Sequence, residues 1–161
     1  VGLVWASGRK VSDPFTRREY IRRSLPSHSL IPLLQGLAAS HVDLVCLQYG
    51  PDRARASDWT GSFVSSLADQ ISLAETARWL LDLDLLISVD TAMAHLAGAM
   101  ALPAWVLLPW AADPRWLRER ADCPWYPSVT LFRQPSAGDW SGLVTALLDR
   151  FSDWRQQWTL P

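Results

Sequence analysis

Residues 84–109 read DLLISVDTAMAHLAGAMALPAWVLLP, and this stretch decides the fold. Residues 85–89 and 104–108 are near-continuous apolar runs without alternation, the pattern of strands covered on both faces. Between them, residues 92–101 are small and apolar enough for a helix, and Asp90-Thr91 makes a tight turn before it. A strand, a helix and a strand in this order predict a right-handed βαβ unit in a parallel sheet. Such a unit puts the helix N-terminus at the carboxyl ends of the strands, where open α/β sheets take their ligands.

The chemistry of that turn follows from the helix end. The first N–H groups have no intrahelical partner and carry partial positive charge, so the backbone at Thr91, Ala92 and Met93 can offer donors to a phosphate. Ala92 and Ala94 leave the backbone open to close approach, and Thr91 and His95, four apart, share one helix face. The competing reading is a core helix capped by Asp90 or Thr91, with His95 a satisfied polar residue at the sheet edge.

Composition narrows the field. A chain of 161 residues with 49% hydrophobic and 19% charged residues suits one domain with a sizeable core, over residues 1–161. Neither a signal peptide nor a membrane span is read, and a formal net charge of −1 argues against a general nucleic-acid surface, so any anion site is local. Cys46 and Cys123 lack metal-ligand spacing; they read as free thiols of a reducing cytoplasm, with no metal expected. Because the chain opens with Val1 in a strand-like run, we expect an upstream part to be missing.

Around the central unit the chain reads as alternating strands and helices. Residues 1–6 form a first strand, followed by a basic loop with Arg9, Lys10, Arg17, Arg18, Arg22 and Arg23; Lys10, the chain's one lysine, lies just past a strand end within reach of a phosphate. The later arginines read as a solvated loop. Residues 27–40 form a helix with Pro32 in its first turn and an inward stripe of Leu30, Leu33, Leu34 and Leu37. Residues 42–48 form a second strand, which puts Gln48 and Tyr49 at a carboxyl end as candidates for a base or sugar; Ser7 and Trp110 hold equivalent places after other strands. Residues 52–60 read as a mobile polar loop, residues 62–70 are strand or link, and Ser72 to Glu75 is a capping box opening a helix to about Leu81, with Ile71 as a staple. The segment 109–128, with Trp110, Trp116, Trp125 and Tyr126, reads as an aromatic lid. After a short strand at 129–132, a helix from Asp139 carries Trp140, Val144, Leu147, Phe151, Trp154 and Trp158 as one stripe, longer than a small sheet covers, so its far end is expected to pack on a missing N-terminal domain.

The ordered set VGLVWA, RRSLP, LQYGP, SLAETARWLLDLDLLISVDTAMAHLAGAMALPAWVLLPW and DCPWYPSVTLFRQPSAGDW resembles the C-terminal glycosyltransferase-like domain of bacterial tetratricopeptide-repeat proteins. Through it the chain is similar to the O-linked N-acetylglucosamine transferases and, by the VDTAMAH turn, to the lipopolysaccharide heptosyltransferases of the family 9 type. The resemblance implies an α/β, Rossmann-like three-layer parallel sheet, the C-terminal half of a GT-B glycosyltransferase fold. It implies a nucleotide-diphosphate sugar as substrate with no further cofactor, its diphosphate on Asp90, Thr91 and Ala92 beside His95, and Lys10 on the phosphates. Ala101-Leu102 stands where that family commonly has Gly-Lys. A general base would come from the other domain, so this chain alone is expected to bind donor without turnover. The alternatives are a non-catalytic nucleotide-sugar-binding module, a protein-interaction module and, as a weaker rival, a nucleotide-sugar epimerase.

Overall fold

The computed structural model describes residues 1–8, 13–67 and 72–156. In chain order these form β1 (Gly2–Val4), α1 (Pro14–Arg23), α2 (Ser27–Ala39), β2 (Val45–Cys46), a 3₁₀ turn (Pro51–Ala56), β3 (Ser65–Ser66), α3 (Leu73–Leu81), β4 (Leu86–Val89), α4 (Ala92–Ala99), β5 (Ala104–Leu108), a second 3₁₀ turn (Pro114–Trp116), β6 (Val129–Arg133) and α5 (Trp140–Gln156). The six strands make one all-parallel sheet in the order β3-β2-β1-β4-β5-β6. The expected Rossmann-like α/β sheet is therefore present. The chain winds outward from β1 to β3, then crosses to β4 on the other side of β1, and this reversal makes the carboxyl ends of β1 and β4 the topological switch point of the sheet.

Strand alternation sorts the core into two layers. Leu3, Trp5, Ile87, Val89, Trp105 and Leu107 face one side, where α2 and α5 supply Leu30, Leu33, Leu34, Leu37, Leu143, Leu147 and Phe151. Val4, Leu86, Ala104, Val106, Leu108 and Leu131 face the other, against Leu80 of α3 and Met93, Ala94 and Ala97 of α4. Every residue of β4 and β5 is buried, as the unbroken apolar runs required. Gly36 lets α2 and α5 approach closely: a Cβ there would lie 2.6 Å from Leu148 Cδ1. Cys46 and Cys123 are free and buried, one in each layer.

Several expectations are corrected. Residues 14–23, read as loop, form α1: Asp13 accepts the Thr16 N–H at 2.9 Å and Pro14 takes the first helical position. Pro32 is not in the first turn of α2; it is the sixth residue of a helix that begins at Ser27 and is tolerated inside it. The segment 52–60, read as mobile, begins in the 3₁₀ turn with Asp52 buried. Strand β2 is confined to two residues, and the ambiguous 62–70 stretch supplies edge strand β3. The capping box of α3 is present in both directions, Ser72 Oγ accepting the Glu75 N–H and Glu75 accepting the Ser72 N–H; Ile71 lies outside the described residues. On α5, Trp140, Val144, Leu147 and Phe151 are buried, and Trp154 packs on Trp105 and Phe151 at ring distances of 6.2 and 5.5 Å. Trp154 is half-buried, and Trp158 lies outside the described residues. Among the described residues no helix is long and apolar enough to cross a membrane.

Candidate functional site

Strand β4 ends at Val89, and two residues turn the chain into α4. Thr91 is the N-cap residue, extended at φ −139° and ψ 168°, yet its side chain makes no cap hydrogen bond. Its hydroxyl instead lies 2.9 Å from Ser88 Oγ, whose hydrogen is donated at 2.7 Å to the Val89 carbonyl. The first N–H groups of α4 therefore keep their donor capacity, and Ala92 is exposed beside them. Met93 is buried, so only its backbone is available at this end. The turn opens at the carboxyl end of β4, beside that of β1.

Asp90 is buried, and its carboxylate is partnered within the chain. Arg23, from the end of α1, sets Nε 3.3 Å from Asp90 Oδ2 and also donates through a terminal nitrogen to the Asp90 carbonyl. Tyr20, one turn earlier on α1, donates its hydroxyl to Asp52 Oδ1 and accepts from Arg55 at 2.6 Å. Arg55 also reaches Asp52 at 3.1 Å and the Leu25 carbonyl at 2.8 Å, and the Trp5 indole donates to the Asp52 carbonyl at 2.8 Å. Tyr20 is the only buried residue of α1, so polar bonds to two aspartates hold this helix against the sheet.

His95 stands one turn into α4. Its Nε2 is 3.7 Å from Asp90 Oδ1, its Nδ1 is 3.3 Å from the Tyr126 hydroxyl, and its ring stacks on Trp116 at 4.9 Å and 18°. Tyr126 gets close because residue 98 is glycine: a Cβ there would lie 2.5 Å from Tyr126 Cγ. Burial pushes the His95 pKa below the ordinary histidine value; Asp90 opposes this, while Arg115 and Arg23 add to it. The imidazole is thereby held neutral near pH 7, one nitrogen a donor and the other an acceptor. Arg115, which contributes to that field, is itself gripped by Asp113 at 2.9 and 3.0 Å.

The sequence-derived candidates separate. The turn brings Asp90, Thr91, Ala92, Met93 and His95 together, with Asp90 facing inward. Gln48 is buried, its Oε1 accepting the N–H groups of Trp5 and Ala6 at 3.1 and 2.8 Å and its Nε2 donating to the Tyr49 carbonyl at 3.2 Å, so its amide is engaged in fastening the end of β1. Ser7 is buried too, its N–H donating to Ser24 Oγ at 3.1 Å. Tyr49 and Trp110 are exposed at 53% and 55%, leaving their rings free to face a ligand. Lys10 lies outside the described residues.

Sequence reasoning passed over Arg23, Trp116 and Tyr126 as site components. The helix that delivers Arg23 was signalled by Asp13-Pro14, an N-cap followed by proline. Nothing local signals that Trp116 and Tyr126 enclose His95, since they stand 21 and 31 residues along the chain from it. Among the described residues no group of three or more His, Cys, Asp or Glu is arranged to hold a metal ion.

No protein-family model matches the sequence, and no curated protein matches it. Solved structures share the fold. The chain is similar to E. coli heptosyltransferase WaaC with ADP, with a TM-score of 0.66 and 20% identity, over 96% of this chain and 43% of that one. It is also similar to E. coli heptosyltransferase WaaC with ADP-2-deoxy-2-fluoro heptose, with a TM-score of 0.65 and 20% identity, over 95% of this chain and 42% of that one. The chain thus spans less than half the length of either structure.

Proposed function

We propose that this chain is the nucleotide-sugar-binding domain of a glycosyltransferase with the GT-B architecture, holding the donor diphosphate at the head of α4. The observation that carries the reading is the N-terminus of α4 left without a side-chain cap at the switch point of the sheet, in a fold shared with a heptosyltransferase that carries ADP. Glycosyl transfer builds negative charge on the departing nucleoside diphosphate, and N–H groups already aimed at that position stabilise it without reorganising. Backbone donors at Ala92 and Met93, with Thr91 and neutral His95 beside them, suit that task, and Lys10 is the further phosphate contact we assign. Tyr49 and Trp110 offer exposed rings for the base or sugar.

Acceptor activation is assigned to residues beyond this chain. Asp90 is committed to Arg23, and His95 Nδ1 lies 3.3 Å from the Tyr126 hydroxyl, so we place neither as the base that deprotonates an acceptor hydroxyl. We accordingly read the chain as a donor-binding half, belonging with an N-terminal domain as in the repeat-protein glycosyltransferases it resembles. The same two commitments support, as second reading, a module that binds nucleotide sugar without transferring it.

Titration calorimetry with ADP, UDP and GDP at low salt tests the proposal. One nucleotide should bind saturably, and Ala92→Pro should weaken it about tenfold, because proline at the first helical position removes one N–H while suiting the helix and the extended residue before it. Binding unchanged by Ala92→Pro, with the fold intact, would exclude the head of α4 as the anion site. Heat from none of the three nucleotides would count against donor binding by this chain.

A further inference from the structure

A phosphate at the head of α4 would approach a buried carboxylate, that of Asp90, immediately before the N-cap residue. Two anionic groups that close repel each other strongly where water is scarce, so the donor site needs a compensating charge that the α4 backbone alone does not supply. Arg23 stands in that place. Its Nε is 3.3 Å from Asp90 Oδ2, a second of its nitrogens donates to the Asp90 carbonyl, and its side chain keeps 32% of its exposure. One arginine therefore sets its charge against the side chain and hydrogen-bonds the main chain of the same turn residue, while its buried Nε makes no hydrogen bond of its own among the described residues. Its own helix is anchored one turn earlier by Tyr20 on Asp52 and Arg55, and residues three apart share a helix face.

We infer that Arg23 is a positioning residue of the donor site: it sets the Asp90-Thr91 turn through the Asp90 carbonyl and cancels the Asp90 charge that would oppose a bound diphosphate. The inference rests on the nucleotide-binding reading above. It differs from a direct phosphate contact in one respect that can be measured. If Arg23 acts on the phosphate through Asp90, removing the Asp90 charge makes Arg23 largely dispensable; if it touches the phosphate itself, it does not.

The experiment is titration of the 161-residue chain with ADP, UDP and GDP at low salt, in the parent chain, Arg23→Ala, Arg23→Lys, Asp90→Asn and the Arg23→Ala/Asp90→Asn double variant. Arg23→Ala should weaken the best nucleotide about 100-fold, and the double variant should recover to within about tenfold of the parent chain. Arg23→Lys should fall between, because it restores charge without the guanidinium geometry that serves side chain and main chain together. Asp90→Asn alone, which keeps an acceptor for Arg23, should bind at least as tightly as the parent and carries the test if Arg23→Ala does not fold. Parent-like affinity in Arg23→Ala, a double variant as weak as Arg23→Ala, or weakened binding in Asp90→Asn would each overturn the inference. A second readout needs no ligand: amide hydrogen exchange at Thr91, Ala92 and Met93 should quicken in Arg23→Ala. If the parent chain binds none of the nucleotides, the donor-binding reading fails by itself; unchanged exchange at these amides would then sink the role of Arg23 in setting the turn.

Discussion

In the half of the sheet built from β4, β5 and β6, the strands are four, five and five residues long, and apolar side chains fill both layers against them. In the half built from β1, β2 and β3 they are three, two and two residues long. What those short strands lack in ladder, buried polar groups replace. Gln48 gathers the Trp5 and Ala6 N–H groups, Arg53 donates to the Gln48 and Leu67 carbonyls at 3.0 and 2.6 Å, and Asp52, Tyr20 and Arg55 bind α1 to the end of β1. One half rests on area removed from water, the other on directed bonds that are costly to leave unmade. The candidate site lies on the seam between them, with its helix N-terminus from the first half and its arginine from the second.

The comparison breaks most visibly where the apolar half is emptied. Trp105 packs against Phe132, Phe151 and Trp154, so Trp105→Ala should cost about 3–5 kcal/mol, read as a lowered urea midpoint for the entire chain. Retention of the parent midpoint would mean that β5 is not the keystone its burial indicates. On the polar side, Gln48→Ala leaves two buried N–H groups without their acceptor and should cost about 1–3 kcal/mol. Its mark should be local: faster amide exchange at Trp5 and Ala6, with β5 and β6 still protected. Exchange quickening uniformly across the sheet would show that the two halves do not differ in this way.

A smaller effect sharpens the picture at the far end of α4. Ala101 sits at φ 56° just after the helix, where its N–H bonds to the Gly98 carbonyl and the Leu102 N–H to that of Ala97, a closing motif that favours glycine. Ala101→Gly should raise stability by up to about 1 kcal/mol, since relief of the left-handed strain exceeds the entropy glycine forfeits. A drop in melting temperature would contradict that balance. The slightest effect concerns His95. Its pKa is lowered on folding, so the unfolded chain binds more protons between the folded value and about 6.5, and stability rises with pH across that window. Above the window the contribution is fully present, and it is lost as pH falls through the folded value. Urea midpoints measured across this range should slope in the parent chain and lose that slope in His95→Gln.

The same division governs how much was legible beforehand. Strands β4 and β5, helix α4 between them and the capping box of α3 were read nearly to the residue, because burial on both faces demands an unbroken apolar run and a capping box is a local pairing. The α1 helix was missed although Asp13 and Pro14 announced it, because its outward charges outweighed the one buried side chain, Tyr20. Asp52 read as part of a mobile polar loop and Gln48 as a base or sugar contact; the partners they meet, Tyr20 and Trp5, stand 32 and 43 positions away.

By itself, then, the sequence determined a parallel α/β sheet and put a helix N-terminus with Thr91 and His95 at the end of a buried strand, since hydrophobic runs and caps act over a few residues. Only the tertiary structure decided that Asp90 faces Arg23, that Trp116 and Tyr126 enclose His95, and that Gln48 serves β1. Those pairings satisfy buried polar groups across long stretches of chain, and the choice among possible partners is made when the sheet brings them within hydrogen-bond reach.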